Sequence, residues 1–467
     1  MVNATPKHAT HRTSQMLRAD ADTGLYFRVA TSLPLTDPWA LGSALRKPGE
    51  SCVFWNQGDM CFAAVGTISQ RDFEGSKRFD KANAWASSIR SRVLNGQVDG
   101  YTGHVPLLVG GFAFADQMNV NISDPWLGWS PGSLRVPRLV IYRNGTECIA
   151  VGTERLRVAQ QPLGSLEKLR EEVNEALDGL SETACHLTTV RMADQRGPKS
   201  RFETCVENAL GEIGHDQSVR HLSKVVLSRR ATFQSEAPLE PTVVMNSLRS
   251  DHPGCVTFAF SEANGRTFVG ATPELLVRKE GNLIHTRALA GTRALEGAES
   301  GQTLLASAKD QHEHALVVEA VEEALTTITQ WIETPREPGV RTLRNIVHLE
   351  SAITAQLQES SSILDAVRCL HPTPAVGGFP KQRASDFIRA HEADERGWYT
   401  GPLGWIDTGG NGEFHVALRC GMLDGCHAWG FVGAGIVEGS NPSSEWDETA
   451  LKLKTFQRAL GRTERDL

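Results

Sequence analysis

The segment RGWYTGPLGWID (396–407), followed by GEFHVALRCGML (412–423) and HAWGFVGAGIVEGS (427–440), decides the fold class. Short apolar runs follow one another with only a few turn residues between them. That spacing predicts PLGWID, FHVALRCGML and HAWGFVGAGIV as strands of an antiparallel meander, not strands alternating with crossover helices. A last helix is expected at 443–461, carrying EWDETALKLK (445–454). Working outward, KVVLSRRATF (224–233), CVTFAF (255–260), TFVGAT (267–272) and LLVRKEG (275–281) also read as strands. A long helical pattern at 303–333 and shorter ones at 362–370 and 383–393 separate them from the meander. Upstream, strands are expected at 24–33, 51–67, 105–116 and 134–143, and an amphipathic helix at 163–180. The polar stretch 186–200, with its Gly-Pro, is expected to be a linker. Because strands cluster, the fold class is α+β with antiparallel sheets at its core and helices outside. The expected organisation is a flexible tail at 1–20, a β-rich portion at 21–195 and a second portion at 196–467.

Composition narrows the function. The chain has 467 residues, 40% hydrophobic and 22% charged, which suits a soluble globular protein too long for one core. Two lobes are therefore expected. A net charge of −7 without a Lys/Arg run gives no reason to expect nucleic acid. Nine cysteines without a CxxC pair read as reduced thiols, not a disulfide framework or zinc site. No apolar run approaches the roughly 18–20 residues that span a bilayer. The polar start lacks a signal-peptide apolar region, so the cytoplasm is the expected compartment.

Several charged residues stand out against this background. Glu445, Glu448 and Lys452 share one face of the expected last helix. Two carboxylates one turn apart repel unless a cation sits between them. The ordinary alternative is a solvated face with a Glu–Lys pair contributing about 0.2–0.5 kcal/mol. Glu313, with Asp310 one turn earlier, opens another acidic helix face. Oxygen donors of this kind suit Mg²⁺, which keeps several waters and takes few protein carboxylates. In GFVGAGIV (430–437), small residues including Gly433, Ala434 and Gly435 leave backbone N–H groups open to an anion, although a bulge would also use them. Arg419 alternates with apolar residues on an expected strand. It could make a sheet-face ion pair, or, beside those glycines, recognise a carboxylate bidentately through two parallel N–H groups. Lys224 opens an apolar strand and Glu274 follows Pro273 at another strand start. Facing one ligand they would form an acid–base pair: the lysine pKa must fall from about 10.4 towards 7–8 while the carboxyl's rises.

Across residues 200–463 these motifs resemble the chorismate-utilising enzymes, above all isochorismate synthases. The resemblance implies a two-lobed chorismate-binding fold and a Mg²⁺-dependent isomerisation in which water adds at C2 and the C4 hydroxyl leaves. KVVLSR supplies the family's base at Lys224, and PELL its acid at Glu274. LAGTR (289–293), with Gly291 and Thr292, matches the loop lining the substrate ring. Glu313 and Glu448 fall on the Mg²⁺ ligands, with Asp310 and Glu445 on acidic positions beside them. His348 in IVHLES, Ala375 in HPTPAVGG, Tyr399, Arg419, the Gly433–Ala434–Gly435 amides and Lys452 fall on substrate-contacting positions. Aminating relatives use ammonia and do not need the lysine, so Lys224 argues for water. Ala290 in LAGTR and Ala375 argue against aminodeoxychorismate and salicylate synthases, while Tyr399 also occurs in the latter. The implied product is isochorismate for menaquinone synthesis. The alternatives are a salicylate synthase, or isochorismate supply for a salicylate or catecholate siderophore. The partner is the small molecule chorismate, with no nucleic acid or membrane, and the chain is expected to be a monomer or weak homodimer.

Overall fold

A computed structural model describes residues 24–98, 104–156, 165–180, 188–213, 222–294, 300–342 and 346–462. The expected tail at 1–20 lies outside them. Two large sheets, fourteen- and ten-stranded, form the core, with helices packed around them. Pairing is antiparallel except between Leu25–Ser32 and Val93–Val98 and between Thr188–Met192 and Gly461–Arg462. This is the α+β, antiparallel architecture that the clustered strand pattern predicts.

Near one end of the first sheet the lysine strand, Lys224–Ser235, runs antiparallel to the glycine strand, His427–Ile436. The sheet continues through Cys420–Asp424, Thr267–Thr272 and Val256–Ser261 to Cys52–Gln57 and Met60–Val65. The second sheet pairs Ile346–Leu357 with Leu283–Ala294, then passes through Leu275–Glu280, Gly412–Val416 and Pro402–Asp407 to Pro106–Phe112. Strands from both halves of the sequence therefore lie side by side in both sheets.

Three expectations need correction. The stretch 186–200 is not a linker: Thr188–Met192 pairs with the lysine strand, and a helix begins at Arg196. Its Gly197 and Pro198 fall in the helix's first turn, where proline's missing N–H has no intrahelical partner to lose. The helical pattern at 303–333 is two helices and a strand. Ser300–Leu305 stops, the Ser307 hydroxyl caps the glutamate helix Ala308–Thr326 by accepting from the Asp310 amide, and Thr329–Glu333 pairs with Ile346–Leu357. The meander is also divided between the sheets. Pro402–Asp407 and Gly412–Val416 belong to the second sheet, Cys420–Asp424 and His427–Ile436 to the first. FHVALRCGML breaks at Ala417–Arg419, where Arg419 has a φ of 49°. A left-handed residue there redirects the chain from one sheet to the other.

Aromatic packing fixes the turn that precedes the divided meander. Trp398 is 1% exposed and sits edge-on to Trp129 at 4.9 Å, while Tyr399 stacks on Phe431 at 5.6 Å. Gly397 has a φ of 53°, and a Cβ there would lie 2.1 Å from the Trp126 ring. Only glycine meets both demands. Among the described residues no helix is long and apolar enough to cross a membrane.

Candidate active site

The register of the lysine and glycine strands brings several of the candidate residues together. Val226 opposes Gly435 and Ser228 opposes Gly433. A Cβ at Gly435 would sit 3.3 Å from the Lys224 Cε, so the absent side chain leaves room for the lysine stem. At Gly433 a Cβ would meet the Tyr399 hydroxyl at 3.2 Å and the Leu227 carbonyl at 2.8 Å. The glycines thus permit close approach from above, as a bound anion or a lysine stem requires. Lys452 donates from its Nζ to the Gly433 carbonyl at 3.0 Å and pairs with Glu448 at 2.7 Å. Lys224, 22% exposed, reaches across to Glu313 with Nζ and Oε1 3.3 Å apart.

The link from the first sheet to the second supplies Glu274. Glu274 follows the strand Thr267–Thr272; its amide donates to the Thr272 hydroxyl, and its carbonyl accepts from the Val416 amide. Thr373, in the turn after Leu370, offers its hydroxyl to the Glu274 carboxyl at 3.5 Å. Desolvation pushes that carboxyl up to about 7, opposed by the Thr373 hydrogen bond and by the charges of Arg341 and Lys224. The Lys224 ammonium is near enough for its charge to act on the Glu274 carboxyl.

Gly291 forms a bulge, with a φ of 71°, where the register of Leu283–Ala294 shifts against Ile346–Leu357. The bulge brings the backbone against Asp310 and opposite His348: a Cβ on Gly291 would lie 3.3 Å from the Asp310 Cβ, and Thr292 pairs with His348. The Thr292 side chain lies outside the description. His348 is held below its ordinary value by burial and by Arg419, Arg341 and Lys452, despite a hydrogen bond to the Gly291 backbone that raises it. A neutral imidazole at neutral pH results. Arg419 is not on a strand but at the crossover between sheets. Its Nη1 lies 3.6 Å from the Cys255 sulfur, and its charge reaches His348. Ala375 sits in the turn closed by the Val376 and Gly377 amides on the Thr373 carbonyl.

The acidic residues fall into two groups. Glu445 and Glu448 lie in the terminal helix Pro442–Leu460, and Asp310 and Glu313 in the first turns of the glutamate helix. Burial raises the Glu445 carboxyl, and the Glu448 charge adds to the rise, against a Ser440 hydrogen bond and Lys452. Among the described residues no three His, Cys, Asp or Glu side chains converge at metal-ligand distance. The donor chemistry nevertheless suits a hard cation: every candidate is a carboxylate, and the Glu445–Glu448 repulsion is what such a cation relieves.

One cation had no signal in the sequence. Arg341, from the short strand Gly339–Thr342, bonds Glu350 at 3.1 Å and acts on both Glu274 and His348. It also lines a cavity of about 450 Å³ bordered by Cys255, Thr272 and Pro273. Thr373 and Arg396 lay inside quoted motifs, but spacing did not single them out.

The two antiparallel sheets thus carry the glycine strand with Lys224 and Lys452 beside it, the raised Glu274 carboxyl held by Thr373, and Arg419 and Arg341 acting on His348. Residues 12–461 match the family model described as chorismate binding enzyme. The chain is 34% identical over 438 residues to the salicylate biosynthesis isochorismate synthase of Pseudomonas aeruginosa, covering 91% of this chain and 88% of that one. It is 34% identical over 363 residues to isochorismate synthase MenF of Bacillus subtilis, covering 76% and 75%. Among solved structures, the menaquinone-specific isochorismate synthase MenF of Escherichia coli superposes with a TM-score of 0.74 at 25% identity, covering 97% and 99%. The matched span includes every residue of the site just described, and this chain belongs to the chorismate-binding enzyme family.

Proposed function

We propose that the protein is an isochorismate synthase, converting chorismate to isochorismate by adding water at C2 with loss of the C4 hydroxyl. The observation that carries the reading is the buried Glu274 carboxyl, held by the Thr373 hydroxyl, within reach of the Lys224 charge and pushed up to about 7 by desolvation. Around neutrality a substantial fraction of Glu274 holds the proton that a departing hydroxyl needs, since hydroxide is a poor leaving group. Lys224 accepts the proton from the attacking water. Arg419, Lys452 and the Gly433 and Gly435 amides, on either side of Ala434, concentrate positive charge for the substrate's carboxylates. His348, Tyr399, Ala375 and the Gly291–Thr292 bulge shape the wall around the ring. Glu313 and Glu448, with Asp310 and Glu445 beside them, would hold Mg²⁺, which when bound neutralises carboxylate charge on the substrate.

The names of the relatives support isochorismate as product and attach it to two different fates, salicylate in Pseudomonas aeruginosa and menaquinone in Escherichia coli. We infer release of isochorismate into menaquinone synthesis, with salicylate or siderophore supply as the second reading on the strength of the Pseudomonas relative. Incubating purified protein with chorismate and Mg²⁺ and separating products by chromatography tests the reaction. Isochorismate alone is the expected outcome. Fluorescent salicylate formed without an added lyase would overturn release of isochorismate in favour of a salicylate synthase.

A further inference from the structure

We propose that Arg396, held by Glu392, is a positioning residue that locks three substrate-facing segments together; this rests on the reading under Proposed function. The segments are the lysine strand, the Thr373–Gly377 turn and the Tyr399–Thr400 turn. All five donors of the Arg396 guanidinium are in use. Nη1 donates to the Val376 carbonyl at 2.9 Å and the Thr400 hydroxyl at 3.3 Å. Nη2 donates to the Val226 carbonyl at 2.6 Å and to Glu392, and Nε donates to Glu392 at 2.7 Å. Glu392 in turn accepts from the Ser228 amide at 2.7 Å and the Ser228 hydroxyl at 2.9 Å.

The geometry explains why the pair stands there. One edge of the lysine strand is fully paired with the glycine strand. On the other edge Gly378–Phe379 pairs with only Lys224 and Val225, and the Gly377 carbonyl takes the Val226 amide. Beyond that point the Val226 carbonyl and the Ser228 amide need partners. Arg396 supplies a donor and Glu392 an acceptor, so two side chains do the work of a missing strand. Lys224 is two residues from one of these bonds and four from the other. Tyr399, whose hydroxyl overlies Gly433 opposite Ser228, is adjacent to Thr400, which the same guanidinium holds at a φ of 61°. Thr373, which bonds Glu274, starts the turn whose Val376 carbonyl Arg396 grips.

Stability alone is a poor reason for this arrangement. The Arg396 and Glu392 side chains are 2% and 5% exposed, and the desolvation of a buried ion pair offsets most of its attraction. What an apolar replacement could not reproduce is directional bonding to three separate segments at once.

The test compares wild type with Arg396→Lys, Glu392→Gln and the milder Ser228→Ala, which buries no unpaired charge. Arg396→Lys keeps the charge but loses the fork, and kcat should fall on the order of 10–100-fold, since ångström misplacement of a reacting group costs about that much. Ser228→Ala should lower kcat about 3–10-fold with KM changed less, the loss lying in the reacting geometry and not in binding. The limb of the pH–rate profile belonging to Glu274 should move in Arg396→Lys, because the Thr373 turn is released. A structural role predicts instead a lower Tm with wild-type kcat, KM and pH profile in the folded variants, and that result overturns the proposal. A wild type that makes no isochorismate sinks the functional reading separately. Hydrogen exchange then decides the clamp: faster exchange at the Ser228 and Val226 amides in Arg396→Lys supports it, and unchanged exchange refutes it.

Discussion

Lys224 and Glu274 carry separate burdens, and each can be removed alone. Lys224→Ala should abolish water addition at C2 while the far-ultraviolet circular dichroism stays that of the folded protein; measurable isochorismate from the variant removes the lysine as base. For Glu274 the sign follows from linkage. The native carboxyl keeps its proton up to about 7, against an ordinary value of 4.5, so the folded state binds more protons in that window and stability falls as pH rises through it. Glu274→Gln deletes that penalty. It should raise the unfolding free energy on the order of 2–3 kcal/mol at pH 8 and leave pH 4 nearly unchanged, read from urea midpoints at both values. In the wild type, kcat should drop about tenfold per pH unit well above 7, as the acid loses its proton. The identities of these two residues were legible from KVVLSR and PELL. Their separation was not, because residues fifty apart in the chain have no spacing that fixes a distance. Arg341 was illegible for the same reason: a lone arginine in a four-residue edge strand looks like any surface cation until tertiary pairing brings it to Glu274.

Elements show where local pattern succeeds and where sheet assignment defeats it. Periodicity located Leu25–Ser32, Val256–Ser261, Thr267–Thr272, Pro402–Asp407 and His427–Ile436 within a residue or two, since apolar alternation and turn residues are local signals, but it gave no strand for Glu147–Leu156, Leu283–Ala294 or Ile346–Leu357. It could not reveal that FHVALRCGML is two strands in different sheets, because the break is a single positive φ at Arg419, a residue with no intrinsic preference for it. Nor did it see that the glutamate helix starts afresh at Ser307, since the helical apolar period runs across the interruption. Ser307→Ala should therefore cost about 1 kcal/mol by losing the cap at the end that carries Asp310 and Glu313. Thermal melts measure that cost, and a melt unchanged from wild type would assign the helix start to packing instead. The terminal helix makes a different prediction. Glu448 is 50% exposed and paired with Lys452, so Glu448→Ala should leave the melting curve within about 0.5 kcal/mol of wild type. The same change should raise the Mg²⁺ concentration at half-maximal rate severalfold or more. An unchanged metal titration would contradict a ligand role.

At the scale of the whole molecule, the site exists because two sheets share strands from both ends of the chain. The segment after 195 holds Lys224, Glu274, Arg419 and the glycines, and its composition reads as a complete catalytic portion. Yet Val256–Ser261 pairs with Cys52–Gln57 over five register positions, and Pro402–Asp407 pairs with Pro106–Phe112. The same pairing carries apolar burial: Trp398 and Phe260 pack with Trp55, Phe62 and Trp129 in one cluster. Removing residues 24–195 would leave the edges of Val256–Ser261 and Pro402–Asp407 without hydrogen-bond partners and uncover that cluster. Exposed edges and apolar faces of this size invite aggregation. A fragment beginning at 196 should thus be recovered mainly as aggregate, bind 8-anilinonaphthalene-1-sulfonate strongly and lack a cooperative melt. Co-expression with 24–195 should restore solubility and a single transition, because the missing strands can pair in trans. A soluble, cooperatively folding 196–467 fragment would mean that the sheets close without their amino-terminal strands, and that the seam between the halves is a docking surface, not a shared core.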